Sequence, residues 1–359
     1  MLALLACGLA GAVRAAGPAS APAGAAAEPL RLRIVGGLAD VRQYTRHEAP
    51  FWTRTLPGLT QGRVTAEIVP FDRAGIRGQN MLRLLELGVV PFGTALLGLT
   101  LSEDALLGAA DLAGLNPDMP SLRRHVAAIR PLLAQHLRQR YGIELLAVYA
   151  YPAQVLFCKQ PLAALSDLAQ RRVRVSSVTQ ADLVEALGGT AVTIPFAELV
   201  PQMRSGALDC AITGTMSGHT IGLHEVTGHL HPMAITWGLS MFAANGQAWA
   251  ALPADVRRLL RDQLPGLETA IWAEADHDTG QGLACNTGSP ALPAATCGAR
   301  TPGQMQLARL QPQDQQRLRS LLASTVVPRW LARCGRACHE GWNRTLAPLT
   351  GITAPAAAN

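Results

Sequence analysis

The chain has 359 residues, enough for two lobes with separate cores. Hydrophobic residues make up 49% and charged residues only 16%, an ordinary globular balance that argues against a disordered or fibrous chain. The net charge of +6 comes almost wholly from scattered arginines, Lys159 being the only lysine, and no basic run lies beside aromatics, which speaks against a nucleic-acid partner.

Taken in order, Leu2 to Val13 is a short apolar run followed by small residues, and residues 16–27 are a Pro/Ala/Gly linker. Residues 1–29 therefore read as a signal peptide and linker, which points to an exported, periplasmic protein. The charged leader of a signal is missing, which leaves room for a start upstream. Leu4-Leu5-Ala6-Cys7 has the form of a lipoprotein cleavage box and makes Cys7 a candidate lipid anchor. No later stretch approaches the roughly 18 unbroken apolar residues of a membrane span.

Leu32 to Val35 is the first predicted strand, and Gly36-Gly37 allows a tight turn before an amphipathic stretch from Tyr44 to Leu56. Thr65 to Val69 is the second strand. A helix with apolar Met81, Leu82, Leu84 and Leu85 closes at Gly88, and Val89 to Ala95 returns as a buried strand. Leu122 to Tyr141 reads as a helix capped by Gly142, with a strand from Glu144 to Tyr149. Tyr151-Pro152, leading into Gln154 to Phe157, is the expected crossing from one sheet to another, and hence a hinge. Ala234 to Ala244 is expected to cross back. Pro253 to His277 reads as one long helix interrupted at Pro265, Gln304 to Leu310 as a short strand, Gln313 to Trp342 as mostly helical, and the tail from Thr353 as disordered.

The clearest stretch runs from Arg171 to Gly218. Val173 to Val175 is a strand, Thr179 to Leu187 a helix with Thr179 and Asp182 as a capping box, Thr190 to Pro195 a strand, Phe196 to Gly206 a helix delayed or kinked by Pro201, and Cys210 to Ile212 a strand. Such an alternation makes a parallel sheet with right-handed crossovers. A guanidinium in the middle of a strand covered on both faces needs a partner to offset desolvation. For Arg174 two partners stand open: a structural ion pair with Asp167 or Asp209, or a ligand carboxylate gripped by two parallel N–H donors.

Seven cysteines suit an exported chain, with Cys285 and Cys297, and Cys334 and Cys338, as candidate disulfides. Cys158 and Cys210 lie in predicted strands, as buried thiols or a third bridge. His219, His224, His229 and His231 read as exposed loop histidines, since no cysteine or carboxylate completes a zinc spacing. No metal or other cofactor is expected. Gly214-Thr215-Met216-Ser217-Gly218 lacks the spacing of a hydrolase elbow, and Gly36-Gly37 lacks the rest of a dinucleotide fingerprint.

Several blocks in order resemble the solute-binding proteins of TRAP transporters, the DctP-type family. They are Leu165-Ser166-Asp167-Leu168 with Arg171-Arg172-Val173-Arg174-Val175, then Glu185 to Gly189, Ile194-Pro195-Phe196-Ala197-Glu198 and Ser205 to Asp209, with Gly75 to Val90 upstream. The resemblance covers roughly residues 31 to 280. It implies an α/β, two-lobed periplasmic binding protein fold, each lobe a mostly parallel sheet flanked by helices, joined by hinge strands and a long helix. Lobe I would comprise residues 30–151 with 240–279, and lobe II residues 152–239 with 280–359.

The resemblance also implies a role: a receptor, not an enzyme, that captures an organic acid and delivers it to TRAP membrane subunits. Arg174 maps to the family's signature arginine and would anchor the acid. Thr213 and Gln154 would fix the remainder, Thr213, Thr215 and Ser217 would supply hydroxyl donors, Asp209 belongs to the same ligand-binding set, and Tyr151, Leu38 and Tyr44 would be the cover. Gln154 stands where many members place a second arginine, which suggests a monocarboxylate. A receptor serving a sensor kinase or an ABC permease would share this fold and pocket. A secreted metal-dependent enzyme, built on the histidine cluster, is the rival from a different class.

Overall fold

The computed structural model describes residues 28–289 and 294–355; the signal, linker and Cys7 readings lie outside them. Strands β1 (Leu30–Gly36), β2 (Val64–Pro70), β3 (Phe92–Leu96), β4 (Ile143–Tyr149) and β10 (Ser240–Asn245) form one sheet in the order β2-β1-β3-β10-β4. Strands β5 (Gln154–Cys158), β6 (Arg172–Val175), β7 (Thr190–Thr193), β8 (Cys210–Gly214), β9 (His229–Thr236) and the short β11 (Gln306–Leu307) form a second, ordered β11-β9-β5-β8-β6-β7. Helices flank both sheets.

Each sheet is parallel apart from one strand. In the first, β10 runs against β3 and β4; in the second, β5 runs against β8 and β9. These are the strands that begin where the chain has just changed sheets, β4 passing into β5 and β9 into β10. Gln154 at the start of β5 pairs with Gly214 at the end of β8, and Ser240 at the start of β10 pairs with Leu96 at the end of β3. Both crossings therefore run from the carboxyl edge of one sheet to the carboxyl edge of the other. The two edges face each other, and the gap between them is where α/β sheets place ligands.

The return crossing differs from the single strand expected over Ala234 to Ala244. It breaks at Trp237-Gly238-Leu239, where Gly238 takes a left-handed φ of 69° that most side chains avoid. The long helix also departs from expectation. It spans Ala254–Thr287 without interruption, and Pro265 lies on its exposed side, where water can satisfy the carbonyl that the proline leaves without a donor.

That helix ties the sheets together. Near its middle Trp272 Nε1 donates to the Val148 carbonyl at 2.7 Å, while Glu268 accepts from the Val148 N–H at 3.0 Å and from Arg130. Toward its end Asn286 Nδ2 donates to the Thr215 carbonyl at 2.9 Å, beyond β8. Gly282 permits the approach, since a Cβ there would stand 2.3 Å from the Met216 nitrogen.

Smaller differences follow from local chemistry. The helix after β6 is capped by Ser177, whose hydroxyl accepts from the Gln180 N–H, and not by Thr179. Asp182, the other half of the expected box, instead pairs with Arg329 and Arg333. The helix predicted from Leu122 begins at Met119, where Asp118 accepts from the Ser121 N–H at 2.8 Å. Pro201 delays its helix as expected: a 3₁₀ turn over Phe196–Glu198 precedes the α-helix Leu199–Ser205. The C-terminal helices reach both layers, Trp330 donating to the Ala105 carbonyl while Arg333 grips Asp182. The described part of the tail is tied down: Asn343 and Ala354 bond each other in both directions, at 2.8 and 3.0 Å.

Disulfides join Cys285 to Cys297 and Cys334 to Cys338, and a third closes Cys158 to Cys210. The last links directly opposed residues of β5 and β8 and closes a separation of 52 residues. Loop-closure entropy assigns such a crosslink about 4 kcal/mol. The Cys158→Ala/Cys210→Ala variant is expected to lose about 2–4 kcal/mol in a urea titration; an unchanged midpoint would show that the bridge adds nothing to stability.

Candidate functional site

Arg174 lies on β6 with its guanidinium over the carboxyl ends of the two neighbouring strands. Nη1 donates to the Ile212 carbonyl of β8 at 3.0 Å, and Nε and Nη2 donate to the Ile194 carbonyl just past β7 at 3.4 Å. Neither expected acidic partner is there. Asp209 sits at the far end of β8 and accepts from Arg172 at 2.8 and 2.9 Å, while Asp167 accepts from the Ala163 and Ala164 N–H groups. With only 4% of its surface exposed and main-chain dipoles as its partners, the guanidinium pKa is pushed down by burial to about 10. A guanidinium has five N–H donors, and these three hydrogen bonds leave two of them without an acceptor among the described residues.

A neutral polar cluster begins two residues past Arg174, at Ser176, around a cavity that Arg174 itself does not line. Gln154 Oε1 accepts from Gln180 Nε2 at 2.5 Å, from Thr236 Oγ1 at 2.9 Å and from Ser176 Oγ at 3.2 Å. Ser176 and Gln180 follow Arg174 at the strand end and first helical turn, and Thr236 ends β9, so three segments converge on Gln154. Sequence reasoning singled out Gln154 and missed the other three. The signal was Ser177: an N-cap at a strand's carboxyl end turns the first helical residues toward the crevice.

The remaining predicted residues divide. Thr213 is buried on β8 beside Ile212. Tyr151 lies in the first crossing with its hydroxyl against Gly37, where a Cβ would stand 3.2 Å away; burial and then the nearby Glu48 carboxylate hold the phenol well above its usual range. Tyr44 packs against Gly36 and donates to the Ile68 carbonyl at 3.4 Å, and Leu38 packs half-buried on the core. These residues border the crevice from the side of the first sheet. Thr215 is turned away, its hydroxyl donating to the Asp278 carbonyl of the long helix at 3.0 Å. Asp209, at the opposite edge of the sheet, is not brought to the crevice.

Two further carboxylates went unnoticed in the sequence. Glu48 is fully buried and accepts from the Gly37 N–H at 2.7 Å, from Gln43 Nε2 at 3.0 Å and from Thr94 Oγ1 at 3.0 Å; burial raises its pKa. It holds the turn after β1 in place. Asp111 accepts from the N–H groups of Trp237 at 3.0 Å and Gly238 at 2.7 Å, and so fastens the return crossing. Asp111 and Gln154 line one small cavity of about 20 Å³, room for a water or two. Ser177 lies across it from Gly98, where a Cβ would stand 3.4 Å from the serine Cβ, so the two sides nearly touch.

The histidines correct another expectation. His219 and His231 are fully buried, and His219 stacks on the half-buried His224 with ring centroids 4.3 Å apart.

Residues 42–280 match the model of the DctP family, described as bacterial extracellular solute-binding protein, family 7. The chain belongs to that family. It is a family of transport receptors and not of enzymes. Among solved structures, the chain is similar to DctP7, a Bordetella pertussis extracytoplasmic solute receptor binding pyroglutamic acid. That comparison gives 22% identity and a TM-score of 0.76, over 88% of this chain and 98% of that one. A Shewanella oneidensis TRAP periplasmic solute-binding protein with bound succinate is 21% identical with a TM-score of 0.71, over 87% of this chain and 98% of that one. In sequence, the ectoine-binding periplasmic protein TeaA of Halomonas elongata is 23% identical over 127 residues, 35% of this chain and 37% of that protein. The match thus spans little more than a third of that relative. As in the family's two-lobed receptors, two α/β layers are joined at their strand ends. Among the described residues no helix is long and apolar enough to cross a membrane.

Burial raises the Asp111 pKa from 3.8 to about 7, against the pull of the Trp237 and Gly238 amides. The folded state therefore keeps a proton that the unfolded chain releases near pH 4. The stability this group contributes is fullest below about pH 4, falls as pH rises to about 7, and is flat above. In urea titrations across that window, Asp111→Asn is expected to give a shallower pH dependence than the natural chain. Parallel curves would show that Asp111 does not titrate there.

Proposed function

We propose that this DctP-family receptor is the extracytoplasmic component of a TRAP transporter, holding an organic acid by its carboxylate on Arg174 and delivering it to the membrane subunits. The observation that carries the reading is the state of Arg174: a buried cation at the carboxyl edge of its sheet with carbonyl partners and, among the described residues, no acidic one. A ligand carboxylate would supply the missing counter-charge through two parallel hydrogen bonds. Gln154, Ser176, Gln180 and Thr236 would hold the rest of the solute, Thr213 would line the floor, and Tyr151, Leu38 and Tyr44 would close over it.

The lobes are assigned as residues 30–151 with 240–279 and residues 152–239 with 280–359, the C-terminal helices bracing both. Because the crevice has room for only a water or two, a solute enters when the lobes part, pivoting at Tyr151-Pro152 and Trp237-Gly238. Export to the periplasm, by a leader within residues 1–29, belongs to the same reading.

The solute is proposed to be a monocarboxylate with neutral hydrogen-bonding groups. The hydrogen-bonding side chains of the cluster that begins at Ser176 are amides and hydroxyls, which add no second positive charge to that of Arg174. The pyroglutamate receptor of Bordetella pertussis is a precedent for such a ligand in this fold.

A thermal-shift screen over mono- and dicarboxylates tests this, because a ligand bound only by the folded state raises the melting temperature. A monocarboxylate with amide or hydroxyl groups is expected to give the largest shift, and a stronger shift with dicarboxylates would overturn the single-charge assignment. Arg174→Ala is expected to fold normally, since it removes a desolvated cation, and to lose at least about 2 kcal/mol of ligand binding by calorimetry, some 30-fold. Arg174→Lys should recover part of that, as a point charge without the planar fork. Undiminished affinity in Arg174→Ala would refute the anchor.

A further inference from the structure

The stacked pair His219 and His224 stands outside the crevice and the receptor reading makes no use of it. The main chain of Arg300 lies close to the His219 ring and that of Thr301 to the His224 ring, but no ring nitrogen of either histidine makes a well-formed hydrogen bond among the described residues, although His219 is fully buried. A buried polar group left in that state calls for a ligand, an ion or a water. One side of His219 meets sulfur. A His219 ring nitrogen and the Sγ atoms of Cys285 and Cys297 all lie within 4.8 Å of one another, and Met216 packs on the same two cysteines. The two cysteines are joined as a disulfide, which is a poor metal donor.

We propose that reduction of the Cys285–Cys297 disulfide turns this clasp into a site for a thiophilic divalent cation of the zinc type, bound by the two thiolates and His219 with a fourth position left open. The chemistry balances. The S–S bond takes up two electrons and two protons from a dithiol reductant, which closes a disulfide of its own. The two new thiols then pass their protons to solvent as the cation binds. Two Cys and one His with an open position is a known zinc set, and the soft thioether of Met216 adds no competing hard donor.

Charge supports the reduced state as the binding one. Arg300 lies near both histidines, and its guanidinium donates to Glu225 at 2.5 Å. The Arg300 guanidinium disfavours a divalent ion held by neutral donors alone, whereas two thiolates offset the charge of that ion.

The clasp also has a mechanical context. Arg42, beyond β1, donates to Asp278 at 2.5 Å, to Gln281 at 2.6 Å and to the Thr296 carbonyl at 2.8 Å. The segment held by Cys297 is thus part of a link from the first sheet to the end of the long helix. In either redox state a covalent or coordinate bond would keep Cys297 on that helix.

The test uses the whole chain and Zn²⁺, after reduction by a phosphine, which takes its oxygen from water and offers no thiol. Competition with a chromogenic chelator measures binding, and Co²⁺ as a stand-in reports thiolate ligation by its charge-transfer band. The Cys334→Ser/Cys338→Ser background removes the closely spaced C-terminal pair, which could otherwise bind the cation as well. In it the reduced protein is expected to bind one more equivalent than the same protein carrying Cys285→Ser and Cys297→Ser, and the oxidised protein to bind none at this site. His219→Gln is expected to weaken binding at least about tenfold and to shift the Co²⁺ spectrum. Zn²⁺ should also protect Cys285 and Cys297 from alkylation, read by peptide mass spectrometry, which needs no variant. Equal Zn²⁺ uptake with and without the two cysteines, an unchanged His219→Gln titration, or no protection would each overturn the proposal.

Discussion

Two chain crossings impose the geometry on which everything else depends. A strand that leaves one parallel sheet at its carboxyl edge and enters another without turning back must run against the strands it joins. The reversed β5 and β10 are that consequence, with Gln154 set beside Gly214 and Ser240 beside Leu96. Facing carboxyl edges follow from the register alone. They bring the turn after β1, the end of β3, the Arg174 strand and the start of the helix behind Ser177 to one gap, though these lie far apart in sequence. The long helix and the C-terminal helices then brace the pair from outside.

Buried charge in this gap is held by neutral groups. Arg174 leans on two carbonyls, Glu48 on a backbone N–H, an amide and a hydroxyl, and Asp111 on the amides of the return crossing. An internal ion pair would have satisfied each more strongly and would have left nothing for a visitor. Hydrogen-bonding dipoles instead keep a charged group in place at the cost of a displaced pKa, lowered for Arg174 and raised for Glu48 and Asp111. Asp111 and Glu48 spend that arrangement on architecture, fixing the second crossing and the turn after β1. Arg174, by contrast, keeps two donors without an acceptor among the described residues.

Much of this was legible in the chain. The alternation from Arg171 to Gly218 is strongly patterned, and Arg174 stands out because it lies between the buried Val173 and Val175. The first crossing was marked by Tyr151-Pro152. The second was blurred, since Trp237-Gly238-Leu239 continues an apolar run and only the φ of Gly238 breaks it. Pro265 misled for a related reason: a proline ends a helix when its orphaned carbonyl is buried, and exposure is invisible to a one-dimensional pattern. Asp209 was grouped with the crevice, but it immediately precedes the strand that Gly214 ends, and a strand separates its two ends by its full length.

The polar cluster around Gln154 shows why site residues are harder to read than folds. Ser176, Gln180 and Thr236 carry no unusual chemistry, and they meet only because β5, β6 and β9 all deliver an end to one edge. Gln154 Oε1 already accepts from three neighbours, so it cannot also accept from a solute without displacing one of them. A solute that binds must offer acceptors to the donors it frees, as a carboxylate with adjoining carbonyl or hydroxyl oxygens does. Closure of the lobes would then cost little, because each bond broken within the cluster is replaced by one to the ligand in a gap from which water has been driven out.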